Sequence, residues 1–178
     1  AILGLDDAVV IEACAEAAQG EVVSAVNFNS PGQVVIAGAK AAVERAIEGC
    51  KARGAKRALP LPVSVPSHCE LMRPAAERFA ESIAAINWQA PQIPLVQNVS
   101  AAVAADLDTL KRDLLEQLYK PVRWVESVQT LAANGATELV ECGPGKVLAG
   151  LNKRCADGVS TANLNTPEAF AAARAALA

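Results

Sequence analysis

Aromatic side chains are scarce: two Trp, one Tyr and three Phe supply 3% of the chain. Apolar residues nevertheless reach 52%, much of it Ala. That balance suits helices packed closely over a sheet better than an all-β sandwich. A basic excess is also lacking, since 16 Lys and Arg face 19 Asp and Glu, a formal charge of -3. A nucleic-acid footprint needs such an excess, so nucleic acid is not an expected partner. No apolar run approaches the length of a membrane span, and no secretory leader pattern is visible. A cytoplasmic protein without a membrane partner is therefore expected. The five cysteines are widely spaced, no C-x-x-C occurs, and one histidine is available. Reduced thiols follow better from this than a disulfide frame or a metal site. The chain of 178 residues begins Ala1-Ile2-Leu3-Gly4 without Met, inside a strand-like pattern. It is expected to be one domain or two small ones, and an excised piece of a longer product.

What is present is organised around residues 61–71, which hold the lone histidine, His68. Ser67 and Glu70 have capping-box spacing, which predicts a helix over 67–86 with Met72, Ala75, Phe79, Ile83 and Ile86 on its buried stripe. His68 is then expected in the first helical turn, at the positive end of the macrodipole, where a neutral imidazole is favoured. A neutral ring suits a general base. A packed or solvent-facing histidine at a helix start explains the same residues.

Before this stretch the pattern is β-α-β-β-α-β. Residues 1–3 read as a strand and 6–18 as a helix with Val10, Cys14 and Ala17 on one face. Residues 21–28 and 33–37 are two strands joined by the turn signal Asn29-Ser30-Pro31-Gly32. Residues 41–53 form a helix with Val43, Ile47 and Cys50 inward, closed by Gly54. Residues 56–65 alternate Leu59, Leu61, Val63 and Val65 on one side with Pro60 and Pro62 on the other, which predicts an edge strand. The order is that of a ferredoxin-like unit. After it, short apolar runs at 95–99, 137–142 and 160–164 alternate with helical segments at 108–118, 122–133, 147–155 and beyond Thr166. Alternation of this kind implies a parallel or mostly parallel sheet covered by helices. The fold class is α/β: a ferredoxin-like small subdomain over 1–64, then an α/β subdomain over 65–178.

Several groups could carry chemistry. Gly143-Pro144-Gly145-Lys146 lies between a strand and a helix, so it is an anion site or simply a tight connection. It is not a P-loop, because Val147 stands where Ser or Thr would hold magnesium. Lys56 and Arg57 open the edge strand and can receive phosphates or be a solvated strand end. Asn27, Asn29 and Gln33 surround the hairpin turn. No G-x-S-x-G elbow occurs, and neither Ser64 nor Ser67 stands in a strand–turn–helix context. If His68 is a base, its nucleophile lies outside this sequence.

The segments 26–38, Val65-Pro66-Ser67-His68, Leu118-Tyr119 through Pro121-Val122-Arg123-Trp124, and Gly143-Pro144-Gly145-Lys146-Val147-Leu148 together resemble the malonyl-CoA:acyl-carrier-protein transacylase family. The resemblance covers essentially the whole chain. It implies a Ser–His ping-pong acyl transfer from coenzyme A to the phosphopantetheine thiol of acyl carrier protein. It assigns His68 as the base and Gln117 as the residue whose main-chain carbonyl orients it. It implies coenzyme A contacts at Arg57, with Lys56 beside it, and at Asn29. It implies a hydrolase-like origin for the later α/β part, with coenzyme A thioester as substrate and no covalently held cofactor. The family's serine elbow, oxyanion-hole glutamine and malonyl-gripping arginine lie in an N-terminal segment not found in this sequence. The expected partners are therefore malonyl-CoA, acyl carrier protein and that missing segment, and the chain alone is expected to be inactive. Two other functions fit the residues: a non-catalytic interaction scaffold, and an enzyme using Cys69.

Overall fold

The structure, a computed structural model, describes residues 1–176. It divides after Trp124 into two compact units. In the first, β1 (Ile2–Leu3), α1 (Asp7–Ala18), β2 (Val23–Ser30), β3 (Gln33–Gly38), α2 (Lys40–Ala52) and β4 (Arg57–Ala58) follow one another. The strands form an antiparallel sheet in the order β2-β3-β1-β4. This is the expected βαββαβ arrangement, with β4 at an edge.

Small side chains explain how the helices pack. Val10, Ala13, Cys14 and Ala17 of α1 and Ala42, Ala46, Ile47 and Cys50 of α2 are buried in one cluster with Ile2, Val34 and Ile36 of the sheet. Alanine and cysteine fill these positions where aromatics are scarce, so the helix axes can lie close. Pro31 and Gly32 make the tight turn between β2 and β3, with Gly32 at φ 70°. Gly38 closes β3 where a Cβ would fall 2.0 Å from the Val22 carbonyl oxygen.

The edge strand is much shorter than the alternation over 56–65 predicts. Only Arg57 and Ala58 pair with β1, because β1 offers just two residues. Beyond them Leu59 N–H still donates to the Ala1 carbonyl at 3.0 Å. Pro60 and Pro62 have no N–H to give. Residues 59–65 run on as an extended strap whose Leu59, Leu61, Val63 and Val65 are exposed.

The predicted helix over 67–86 is also corrected. A 3-10 turn (Glu70–Met72) precedes α3 (Arg73–Ala84), which has a proline at its start. The capping box does not form. Val65 O accepts the Ser67 N–H at 2.9 Å, and the Glu70 carboxylate binds Arg73 instead. His68 precedes the helix rather than lying in its first turn. Ala76 and Ile83 are the buried residues of α3, while Phe79 is partly exposed.

The apolar run at 95–99 makes no strand. An isolated bridge pairs Val96 with Val103, and the chain turns back between them, Ala101 N–H donating to Gln97 O at 2.8 Å. Gln97 is buried and its amide donates to the Leu110 carbonyl at 3.0 Å. That bond ties the turn to α4 (Leu107–Glu116). Asp106, two residues before the expected Asp108, caps α4 by accepting the Thr109 N–H at 2.7 Å. This bond holds the Asp106 carboxyl below the usual carboxylate range. Residue 122 joins the free edge of β2, accepting from Phe28 N–H at 3.0 Å and donating to Val26 O at 2.9 Å. That pairing keeps the chain up to Trp124 with the first unit.

From Val125 on, the second unit contains the rest of α5 (Trp124–Ala133), then β5 (Glu138–Glu141), α6 (Val147–Asn152), β6 (Ser160–Asn163) and α7 (Pro167–Ala176). Strands β5 and β6 pair in parallel, as the alternation predicts. Thr166 Oγ1 accepts the Ala169 N–H at 3.1 Å, the expected cap of α7. No helix among the described residues is long and apolar enough to cross a membrane.

Candidate active site around His68

His68 is held by the C-terminal end of α4. Its N–H donates to the Leu118 carbonyl at 2.9 Å, and its Nδ1 lies 2.6 Å from the Gln117 carbonyl oxygen. Both acceptors lie just past Glu116, the last residue of α4: Gln117 is its C-cap and Leu118 follows, at a helix end where carbonyls lack partners within the helix. A carbonyl has no proton to give, so Nδ1 carries the hydrogen of this bond. In the neutral ring that leaves the lone pair on Nε2. Nε2 has no hydrogen bond among the described residues. Held by Gln117 through Nδ1, the His68 ring therefore presents Nε2 without a partner among the described residues.

The backbone adapts to make this contact. His68 has φ 66°, in the left-handed region, at a cost on the order of 1 kcal/mol for a residue with a Cβ. Its two bonds to consecutive carbonyls offset that cost. The electrostatics differ from those the sequence predicts. The ring faces the negative, C-terminal end of α4 rather than the positive start of α3.

The half-buried ring lies on the wall of a cleft of about 900 Å³. The strap at 59–67 forms one side, and Asn27, residues 35–38 and Lys40 contribute to the other. The wall is mainly apolar with a few polar groups, the usual character of a small-molecule site. Ser64 and Ser67 line the cleft too, but no serine hydroxyl among the described residues bonds His68 Nε2.

The structure brings His68 and Gln117 together as expected, although 49 residues separate them. It does not bring Lys56, Arg57 or Asn29 to the cleft wall. Lys56 packs its stem on Gly4, and Arg57 is exposed in β4. Asn27 lines the cleft where Asn29 does not. Register shifts on both sides of Asn27 and Phe28 break the simple alternation of this strand. Nothing in the residue pattern distinguishes the two asparagines. The pairing of Arg73 with Tyr119, described below, also escapes the sequence, in which Tyr119-Lys120-Pro121 reads only as a chain break.

Cys69 is a poor nucleophile. It is 1% exposed, its Sγ donates to the Pro66 carbonyl at 3.1 Å, and burial pushes its thiol up from the ordinary range. The Gly-Pro-Gly bend serves as a connection. The carboxylate of Glu141 accepts the Ala149 N–H at 2.8 Å, so the start of α6 already has an anion from its own chain.

Residues 2–169 match the acyl transferase domain family. The malonyl CoA-acyl carrier protein transacylase of Escherichia coli K12 is 58% identical over 173 residues, which is 97% of this chain and 56% of that protein. The enzyme of the same name from Bacillus subtilis is 44% identical over 169 residues, 94% of this chain and 53% of its own length. Among solved structures, a malonyl-CoA:acyl carrier protein transacylase from Xanthomonas oryzae superposes with a TM-score of 0.95 at 51% identity, covering 98% of this chain and 56% of that one. A malonyl-transacylase in complex with a type II PKS acyl-carrier protein gives 0.94 at 51% identity, over 97% of this chain and 56% of that one. The chain thus spans a little over half the length of the relatives it matches.

Proposed function

The chain belongs to the acyl transferase domain family, and on that premise we propose that it is the base-bearing part of a malonyl-CoA:acyl-carrier-protein transacylase. One observation carries the proposal: His68 Nδ1 is bound to the Gln117 carbonyl, which leaves Nε2 free at an open cleft. A base that must meet an incoming hydroxyl or thiol needs that arrangement.

In the first half-reaction, His68 Nε2 takes the proton of a serine hydroxyl supplied by polypeptide outside this sequence. The serine oxygen attacks the malonyl thioester carbonyl and coenzyme A leaves as its thiol, receiving the proton from His68. In the second half-reaction, Nε2 takes the proton of the phosphopantetheine thiol of acyl carrier protein. The sulfur attacks the malonyl ester and the serine regains its proton. Each time positive charge develops on the ring, the Gln117 carbonyl dipole faces it. No bound cofactor takes part, because coenzyme A enters as the substrate's carrier.

Lys56, Arg57 and Asn29 are proposed to contact coenzyme A from the small subdomain, 1–64, with 65–178 completing the α/β part. Both substrates would be met in the cytoplasm. The half-buried, cleft-lining His68 supports this function over a purely scaffolding one, which calls for a packed ring.

The test is malonyl transfer by the 178-residue chain alone and after mixing with the serine-bearing remainder of a relative. The proposal expects no turnover by the chain alone and turnover in the mixture. Transfer by the chain alone, or a mixture as active with His68→Ala as without it, would contradict it.

A further inference from the structure

We propose that Glu70, Arg73 and Tyr119 form a buckle that positions His68, with Arg73 as its central positioning residue. The inference rests on the base role given to His68 above. The guanidinium carbon of Arg73 lies 4.1 Å from the centroid of the Tyr119 ring. Glu70 fixes the same guanidinium edge-on, accepting from Arg73 Nε at 2.7 Å and Nη2 at 2.8 Å. A planar fork held by a carboxylate along one edge has its orientation set, and its face is then free to lie on an aromatic ring.

The location gives this contact its consequence. Arg73 follows His68 by five residues, and Tyr119 follows Gln117 by two. The bond between Nδ1 and the Gln117 carbonyl is thereby enclosed in a short loop of contacts. On one side the His68 N–H holds the Leu118 carbonyl, and on the other Arg73 holds Tyr119. Lys120 Nζ donates to Glu116 Oε2 at 2.8 Å and keeps the turn between them closed. These two clasps fix the backbones that flank the bond between His68 and Gln117, so the ring keeps its distance to that carbonyl while both are closed.

A structural role alone makes a different prediction. Arg73 and Glu70 are each about half exposed, and exposed ion pairs contribute little to stability. If the buckle were ordinary surface decoration, breaking it would leave the imidazole unchanged. If it positions the ring, breaking it loosens the imidazole while the fold stays intact.

The single histidine makes this measurable, because the isotope-labelled chain shows one set of imidazole nitrogen signals. The unaltered chain should show the Nδ1–H tautomer with a slowly exchanging Nδ1 proton. Tyr119→Phe keeps the ring face and should preserve both features. Arg73→Lys keeps the charge but loses the planar fork, and Tyr119→Leu loses the ring. Both should speed Nδ1–H exchange roughly fivefold, the factor that loss of an exposed cation–π contact implies, and raise the share of the Nε2–H tautomer. Their amide spectra should remain those of the folded chain. Unchanged exchange and tautomer in both variants would overturn the inference. So would an unfolded Arg73→Lys chain, since the pair would then be a folding element. Absence of the Nδ1–H tautomer in the unaltered chain would instead sink the base role beneath it.

Discussion

The Nδ1 atom of His68 lies 2.6 Å from the carbonyl oxygen of Gln117, and the His68 backbone takes φ 66° to put it there. A residue with a Cβ tolerates that conformation only because the contacts it gains are worth more than the strain. Removing the side chain therefore has two separable effects. Both His68→Ala and His68→Gly lose the bond to Gln117, but only glycine relieves the backbone. His68→Gly is expected to be more stable than His68→Ala by roughly 1 kcal/mol, net of the extra freedom glycine has when unfolded. Urea midpoints of the two variants check this. The reverse order would mean that the left-handed backbone is not a property of the folded chain.

Gly38 tests the small subdomain. A methyl group there meets the Val22 carbonyl oxygen at 2.0 Å and the Val23 Cα at 2.6 Å, both backbone atoms that cannot turn aside. Gly38→Ala is expected to destabilise the chain by about 2–4 kcal/mol, among the larger costs for a single methyl group. Gly20 has open space around its Cβ position although its φ is 90°. Gly20→Ala should cost less, from backbone strain alone, on the order of 1 kcal/mol. Denaturant unfolding of the pair separates clash from strain.

The thiols should titrate and react in an order set by burial. Burial, reinforced by the charge of neighbouring Cys50, pushes the Cys14 thiol from 9.0 up to about 12. In the unfolded chain the same thiol ionises at its ordinary value. The folded state thus keeps a proton that the unfolded state has lost, and stability falls as pH rises between those two values. Unfolding at about pH 8 and about pH 10.5 should show a loss that Cys14→Ala lessens. Near pH 8 a thiol reagent should modify exposed Cys142 fast and buried Cys14, Cys50, Cys69 and Cys155 only on unfolding. Fast labelling of Cys69 would revive the cysteine-dependent alternative.

The first half of the fold was legible because three independent signals agree there: apolar spacing in α1 and α2, the Pro31-Gly32 turn, and prolines along an edge. The sequence overstated the length of β4, since alternation over 56–65 says nothing of how short its partner β1 is. It placed His68 in a helix because Ser67 and Glu70 have the right spacing for a capping box. Arg73 competes successfully for the same carboxylate, and spacing cannot reveal that. The join between His68 and Gln117 came from the family resemblance, because no local pattern links residues so far apart in the chain. Arg73 and Tyr119 were passed over for the same reason: their contact exists only once distant segments meet.

The most direct test of the central claim is a chimera. The matching 173 residues of the Escherichia coli relative are replaced by this chain, so that the serine comes from one protein and the histidine from the other. Malonyl transfer from coenzyme A to acyl carrier protein is then measured. The account predicts an active chimera whose rate falls by about 10²–10⁴-fold with His68→Ala, the span of a lost general base. A folded chimera with no transfer, or one indifferent to His68→Ala, would contradict it.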